Sequence, residues 1–286
     1  MLTVSIVIPA WNESRRVLSC LRNATTQTVP AHEIIVVDNN STDNTRELVE
    51  SFIREHPGTP VRLERQTQAQ GLIPTRNMGL DIATGDIVAR IDADCMIKPN
   101  WVETVALFFE SHPYTAGVTG PVCYYDMPLP PVGLFFDSRV RKKQYSADGM
   151  PLLFGSNMAM RKSAWEKIRP VVCADVEDVF HEDIDCSLHL FEQGLTTQFC
   201  SEMVTGASAR RMATPHDSFT VYMKRFENTF NAHPGHTRDG YPEKTLLMVY
   251  PLLNTMHHVY SAWCSLLKID TAERLWKRYR ERVGLE

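Results

Sequence analysis

The chain has 286 residues, 43% of them hydrophobic and 22% charged, which is ordinary globular composition with room for one large domain or two lobes. A formal net charge of −4 leaves no basic footprint of the kind nucleic-acid binders carry, and that class is excluded. The seven cysteines (Cys20, Cys95, Cys123, Cys173, Cys186, Cys200 and Cys264) show no Cys-x-x-Cys spacing. Neither a cysteine zinc site nor a disulfide framework is indicated, and free, mostly buried thiols in a reducing compartment are expected.

The N-terminus has no basic segment and no small-residue cleavage site, so residues 4–8, a short β-branched run, read as a first strand ended by Pro9. A cytosolic protein is expected. Residues 13–24 carry Val17, Leu18, Leu21 and Ala24 at helical spacing. Residues 33–38 form a second strand, and Asn39 to Asp43 supply N-cap residue types before a helix over 45–55. A third strand over 61–65, a helix over 75–84 and a fourth strand over 86–91 complete an open α/β sheet. Ligands of such sheets sit beyond the carboxyl ends of the strands, where Asp38 and Asp92 fall. Strand alternation sends Asp92 and Asp94 to one side, a donor set that suits Mg2+ or Mn2+ shared with substrate phosphates.

Beyond residue 118 a Pro-rich stretch (Tyr124 to Pro131) precedes a segment of little periodicity, read as a second lobe of the same globule. The spacing predicts a helix over 183–193 with Ile184, Leu188 and Phe191 on one side and Gly194 as its C-cap type. Residues 245–267 hold no Asp, Glu, Lys or Arg but are interrupted by Pro251, Asn254, His257 and His258, a poor bilayer span. Helices packed on the core are expected there, with interfacial membrane contact as the alternative. Ile269, Ala272, Trp276, Tyr279 and Val283, flanked by basic residues, mark an amphipathic helix able to pack on the core, pair with a second subunit or lie on anionic lipid. The division expected is 1–118, 119–215 and a helical extension, 216–286.

Several stretches in one order resemble the inverting glycosyltransferases of family two, which have the GT-A fold: a mixed, mainly parallel sheet flanked by helices. They are residues 4–13 (VSIVIPAWNE), 35–45 (IVVDNNSTDNT), 71–79 (GLIPTRNMG), Asp92-Ala93-Asp94, 155–161 (GSNMAMR) and 181–185 (HEDID). The likeness covers residues 3 to about 195. It implies a nucleoside diphosphate sugar held by Pro9, Ala10 and Glu13 against base and ribose, by Asp38 on the base and by Arg76 on the diphosphate. Asp92 would hold ribose or sugar, Asp94 would ligate Mn2+ or Mg2+, and Gly155-Ser156-Asn157 would pack beneath the donor sugar. Asp183 would be the base that takes the acceptor hydroxyl's proton, Glu182 would position acceptor or donor, and Asp185 is the rival base. The same acids also suit a helix N-terminus on dipole grounds alone.

Ala69 stands where the family usually has Asn, so a base-side contact is lost or supplied by Gln68 or Gln70, and nucleotide identity stays open. Residues 207–216 have the composition of a mobile loop, with Arg210 or Arg211 able to close over the diphosphate and His216 as an extra metal ligand. An apolar acceptor channel of Tyr124, Tyr125, Leu134, Phe135 and Phe136 competes with simple core packing. The expectation is a metal-dependent inverting transferase moving one sugar, from a UDP-sugar first and GDP-mannose second, to a glycan, lipid-linked or small-molecule acceptor. The alternative is a non-catalytic sugar-nucleotide-binding or scaffold protein.

Overall fold

A computed structural model describes residues 1–143, 151–175, 177–236, 243–269 and 271–283. The chain opens with β1 (Val4–Ala10), α1 (Val17–Thr25), β2 (Glu33–Asp38), α2 (Thr45–Glu55), β3 (Val61–Arg65), α3 (Leu72–Ile82) and β4 (Ile87–Arg90). There follow β5 (Met96–Ile97), α4 (Trp101–Ser111), β6 (Thr115–Thr119), β7 (Val122–Tyr124), α5 (Pro130–Lys143), β8 (Met158–Arg161), α6 (Lys162–Ile168) and α7 (Glu182–Glu192). The last elements are β9 (Thr196–Phe199), β10 (Thr205–Ala207), a 3-10 turn (Arg210–Ala213), α8 (His216–Ala232), α9 (Glu243–Leu266) and α10 (Ala272–Val283).

Seven strands form the main sheet in the order β3-β2-β1-β4-β8-β6-β9. The pairs among β3, β2, β1 and β4 are parallel, β8 runs antiparallel to both its neighbours, and β9 is parallel to β6. Both faces are covered, which is why the first strands read as unbroken apolar runs. Ile6, Ile8, Ile34 and Val36 pack on one side with α1, α2 and α4. Val7, Ile35 and Val37 pack on the other with α3, α6, α7 and α8. A small second sheet, β5-β10-β7, carries a third cluster that includes Trp276 and Tyr279 of α10.

Where element limits differ from the sequence expectation, local chemistry explains the shift. β1 runs on through Pro9 to Ala10. Val7 accepts a bond from the Ile91 amide, so odd residues of β1 face β4. The missing N–H of Pro9 therefore points where β4 has already ended and removes no ladder bond. α1 starts late because the Glu13 amide donates to Thr45 Oγ1 (2.7 Å), which turns the chain before it winds. α3 starts early, at Leu72, because Pro74 occupies the first turn, where amides have no intrahelical partner. α7 ends in a Schellman motif: Gly194 (φ +69°) donates to Phe191 O and Leu195 donates to Leu190 O, both 2.9 Å.

The C-terminal extension packs on the core by a narrow stripe. Tyr250, His257 and Cys264, one residue every seventh position of α9, are buried, while Met248, Leu252, Val259, Trp263 and Leu266 are exposed. α10 buries Leu275, Trp276 and Tyr279, so it packs on the core as one of its three expected fates; the Val283 side chain lies outside the described residues. Among the described residues no helix is long and apolar enough to cross a membrane. None of the seven cysteines is in a disulfide, and six of them are buried.

Candidate active site

The carboxyl ends of β1, β2 and β4 converge on a group of acids. Asp38 ends β2 opposite Ala10 and is buried, with Oδ1 accepting from the Ser41 amide (3.3 Å). Asp43 acts as a cap, accepting from the Thr45 (3.0 Å) and Ser14 (3.2 Å) amides. Pro9, Ala10 and Glu13 are buried, and Trp11, between them, is exposed. The Asn39 side chain ties down the loop before α3, donating to Gln66 O (3.1 Å) and Ala69 O (2.9 Å) and accepting from the Gly71 amide (2.7 Å). Gln70 Nε2 is engaged with Asn39 O (3.0 Å); Gln68 and Gln70 are both exposed.

Just past β4, Asp92 is half-exposed and Asp94 and Ala93 are buried. Ligand atoms of Asp92, Asp94 and Cys95 lie within 4.8 Å of one another. Arg210 reaches this group from the 3-10 turn, pairing with Glu13 and with Asp94 Oδ2 (Nε, 3.1 Å). Burial pushes the Asp94 carboxyl up to about 7; the Arg210 guanidinium opposes this, and the charges of Asp92 and Glu13 add to it. One buried Glu13 oxygen, Oε2, has no partner. The carboxylate oxygens of Asp92 and Asp94, with the charge of Glu13 close to Asp94, are donors of the kind that suit Mg2+ or Mn2+, and Cys95 Sγ lies beside them.

The turn bearing Arg210 is anchored at both ends. Asp126 accepts from Ser208 Oγ and the Ala209 amide, both 2.6 Å. Asn254 of α9 donates to Met212 O (2.6 Å), and the Tyr250 hydroxyl lies 3.3 Å from Arg211 O. Arg211 turns the other way, its guanidinium 3.8 Å from the Tyr222 ring centre. His216 opens α8, exposed, with its ring near Tyr250, and belongs to none of the close groups of possible metal ligands among the described residues.

Opposite stands the N-terminus of α7. Asp183 is half-buried, accepting from the Gly155 amide (Oδ2, 2.7 Å) and the Ile184 amide (Oδ1, 2.9 Å). Burial and the charge of Glu182 raise its carboxyl to about 6, with Arg90 pulling the other way. Glu182 itself is buried in an ion pair with Arg90; burial pushes its carboxyl up, but the charges of Arg90 and Arg76 win and hold it at about 2. Arg90 Nη2 also reaches Asp92 Oδ1 (2.8 Å). The buried guanidinium thus links the helix of Asp183 to the acidic pair. Gly155 makes room for it: a Cβ there would come within 2.3 Å of Arg90 Nη1.

Three of the residues named from the sequence lie in buried settings. Arg76 is fully buried, its Nε and Nη2 on Asn77 Oδ1 (3.1 and 2.6 Å) and its Nη1 unpartnered. Winding from Leu72 places it on the inner face of α3, so it does not stand as an open arm toward a diphosphate. Asn157 is fully buried, accepting from Trp101 Nε1 (3.0 Å) and donating to Pro121 O (3.0 Å) and Met203 O (2.6 Å). Its amide braces the loop, and of the three residues only Ser156 is half-buried rather than buried. Asp185, the rival base, is buried against His233 and the Cys173 amide. Of the aromatic acceptor candidates, Tyr125 is buried with its hydroxyl on Asp94 O (2.9 Å), while Phe135 and Phe136 are exposed. The sequence reading missed Arg90 and Asp126; a lone arginine in an otherwise apolar strand was the available signal for the first.

A parallel α/β sheet turning antiparallel at β8, with paired acids at its carboxyl edge, defines the GT-A class. The model of "Glycosyl transferase family 2" matches residues 5–169, and the chain belongs to that family. It is 35% identical over 102 residues to glycosyltransferase AglE of Haloferax volcanii, a match spanning 35% of this chain and 33% of that protein. The similarity therefore spans about a third of the length of such relatives. Among solved structures, mannosyltransferase PcManGT from Pyrobaculum calidifontis, in complex with GDP-Man and Mn2+, has TM-score 0.60 at 20% identity over 99% of this chain and 84% of that one. S. aureus TarS 1-349 with UDP-GlcNAc has TM-score 0.55 at 14% identity, covering 87% of this chain and 72% of that one.

Proposed function

We propose that this protein is a metal-dependent inverting glycosyltransferase that moves one sugar from a nucleoside diphosphate sugar to an acceptor hydroxyl. UDP-sugars are the first candidates and GDP-mannose the second; neighbours of the same fold hold one or the other. The observation that carries the reading is the chain of ion pairs Asp183-bearing helix, Glu182, Arg90, Asp92, which ties a carboxylate raised toward neutrality to the acidic pair.

In this reading Pro9, Ala10, Glu13 and Asp38 line the nucleoside side and the exposed Trp11 indole stacks on the base. Asp94 with Asp92 would hold Mn2+ or Mg2+, which when bound offsets negative charge on the departing nucleoside diphosphate. Arg210, already on the carboxylates, would turn to the diphosphate as a charge-assisted donor. Asp183 Oδ1 or Oδ2 takes the acceptor proton as the hydroxyl oxygen attacks, from the side opposite the leaving group. Gly155 and Ile184 amides keep that carboxylate aimed, and Glu182 with Arg90 holds the helix end in register with Asp92.

Residues 1–118 then hold the donor, 119–215 the acceptor and base, and 216–286 brace the Arg210 turn. The acceptor is a glycan, a lipid-linked sugar or a small molecule, and exposed Leu252 and Trp263 of α9 suit contact with the cytoplasmic membrane surface. Because Tyr250, Trp276 and Tyr279 belong to the core, deleting the extension would unfold it; Leu252→Glu with Trp263→Glu is the cleaner liposome test. The deciding experiment titrates UDP-, GDP- and dTDP-sugars calorimetrically with Mn2+ or chelator, then follows transfer and product anomer by NMR. Metal-dependent binding of one donor with inverted product supports the reading; retained configuration refutes it.

A further inference from the structure

On the far side of α7 from the substrate groups lies a second cluster of metal-binding side chain types. Asp185 and His189 are four residues apart on one face of α7, and His233 follows the end of α8. Their ligand atoms lie within 4.8 Å of one another. We propose that Asp185, His189 and His233 form a Zn2+ site, distinct from the donor site, that pins the carboxyl half of α7 to the end of α8.

The separations fit a shared cation. Asp185 Oδ1 is 3.1 Å from His233 Nε2 and 3.6 Å from His189 Nε2. Ligands about 2.05 Å from a tetrahedral zinc stand about 3.3 Å apart, midway between these values. The second distance is too long for a hydrogen bond, so a direct Asp185–His189 contact does not account for it. The other atoms of all three side chains are already oriented. Asp185 Oδ2 accepts from the Cys173 amide (3.1 Å), leaving Oδ1 for the cluster. His233 Nδ1 is 2.8 Å from Glu192 Oε1 and His189 Nδ1 is 2.7 Å from Glu192 Oε2. With each Nδ1–H given to Glu192, both Nε2 lone pairs are left for an ion beside Asp185 Oδ1, which would take the place of the 3.1 Å His233 Nε2–Asp185 Oδ1 hydrogen bond; this is the outer-shell arrangement that orients histidine ligands on metals. Two imidazole nitrogens and one carboxylate are a borderline-soft set, which selects zinc over the all-oxygen preference of Mg2+. Asp185 and His233 are buried and His189 is 13% exposed, so the site has an entry from solvent for the ion and a water as fourth ligand. Two helices gain a cross-link two residues from Asp183, the group that must hold its place in transfer.

The test uses the full chain, tag removed and stripped by chelator, in an Asp94→Asn background that disables the donor-site carboxylate. Calorimetric titration with ZnCl2 alone should give one ion per chain, and X-ray absorption at the zinc edge should show imidazole scattering. Adding His189→Gln or His233→Gln should weaken binding by about a hundredfold or more, and Glu192→Gln by about ten- to a hundredfold. If His233→Gln fails to fold, His189→Gln alone decides, since its side chain reaches solvent. No stoichiometric zinc in the Asp94→Asn protein, or unchanged affinity in His189→Gln, overturns the site and leaves a hydrogen-bonded His–carboxylate network only.

Discussion

Replacing Arg90 by Met should be the most informative single change in this molecule. Arg90 and Glu182 form a buried ion pair, their side chains 2% and 7% exposed. Removing one partner of such a pair leaves an uncompensated buried charge and costs about 3–5 kcal/mol. For a chain of this size that corresponds to a fall in Tm of roughly 6–20 °C. Arg90→Met with Glu182→Met replaces both charges by apolar groups, so the double variant should regain most of the loss. A coupling free energy of about 2 kcal/mol or more is expected from urea unfolding of the wild type, both single variants and the double variant. The double variant should nonetheless stay far below wild type in kcat, because Asp92 loses its 2.8 Å contact and α7 its tie to the acidic pair. Additive single effects, within about 0.5 kcal/mol, would refute the idea that the pair acts as a unit. Wild-type kcat in the double variant would refute the linkage between base and donor side.

Asp183→Asn should cut transfer by about 10²–10⁴-fold while calorimetry finds donor binding with Mn2+ nearly unchanged. A folded carboxyl raised to about 6 favours the protonated form, so this residue's stabilising share is present at low pH and lost as pH rises through 6. The Asn variant should therefore melt higher than wild type at pH 7.5, with the advantage shrinking as pH falls from 6 and gone only below the ordinary carboxyl value of 3.8, whereas kcat/KM of wild type should climb through a midpoint at about pH 6; a profile flat from pH 5 to 8 would contradict the base assignment. Gly155→Ala, whose Cβ would overlap Arg90 Nη1, should lower both Tm and kcat, and Ser156→Ala, beside it, neither. Arg210→Ala frees Asp94 and Glu13, so Mn2+ binding without nucleotide should tighten while donor affinity falls; both moving in one direction would count against a shared role for that guanidinium.

The first half was legible because β1 and β2 are buried on both faces and its strands are long enough to show a pattern: β2, the half-buried edge strand β3 and α2 begin and end where apolar runs and cap residues place them. The second half was not, since β5, β7 and β10 have only two or three residues each, too few for any period. The acids Asp92, Asp94 and Asp183 could be named from motif order, but not their settings. Arg90 and Glu182 are 92 positions apart, and nothing in either neighbourhood announces the other. Likewise Asp185 and His189 show helical spacing in the sequence, whereas His233 joins them only because α8 returns along α7.

The seven-residue rhythm of buried side chains on α9 sets how this protein breathes. A helix that buries one side chain in seven, with Leu246, Leu247 and Tyr260 only half-buried beside them, opens at lower free energy than the sheet beneath it, and amide exchange along 243–266 should be fast compared with β1 or β2. Tyr250 and Asn254 are also the groups that hold the Arg210 turn from outside. An opening of α9 would therefore also release the turn that carries Arg210 toward Asp94 and Glu13, so exchange along this helix and the setting of those carboxylates are mechanically coupled.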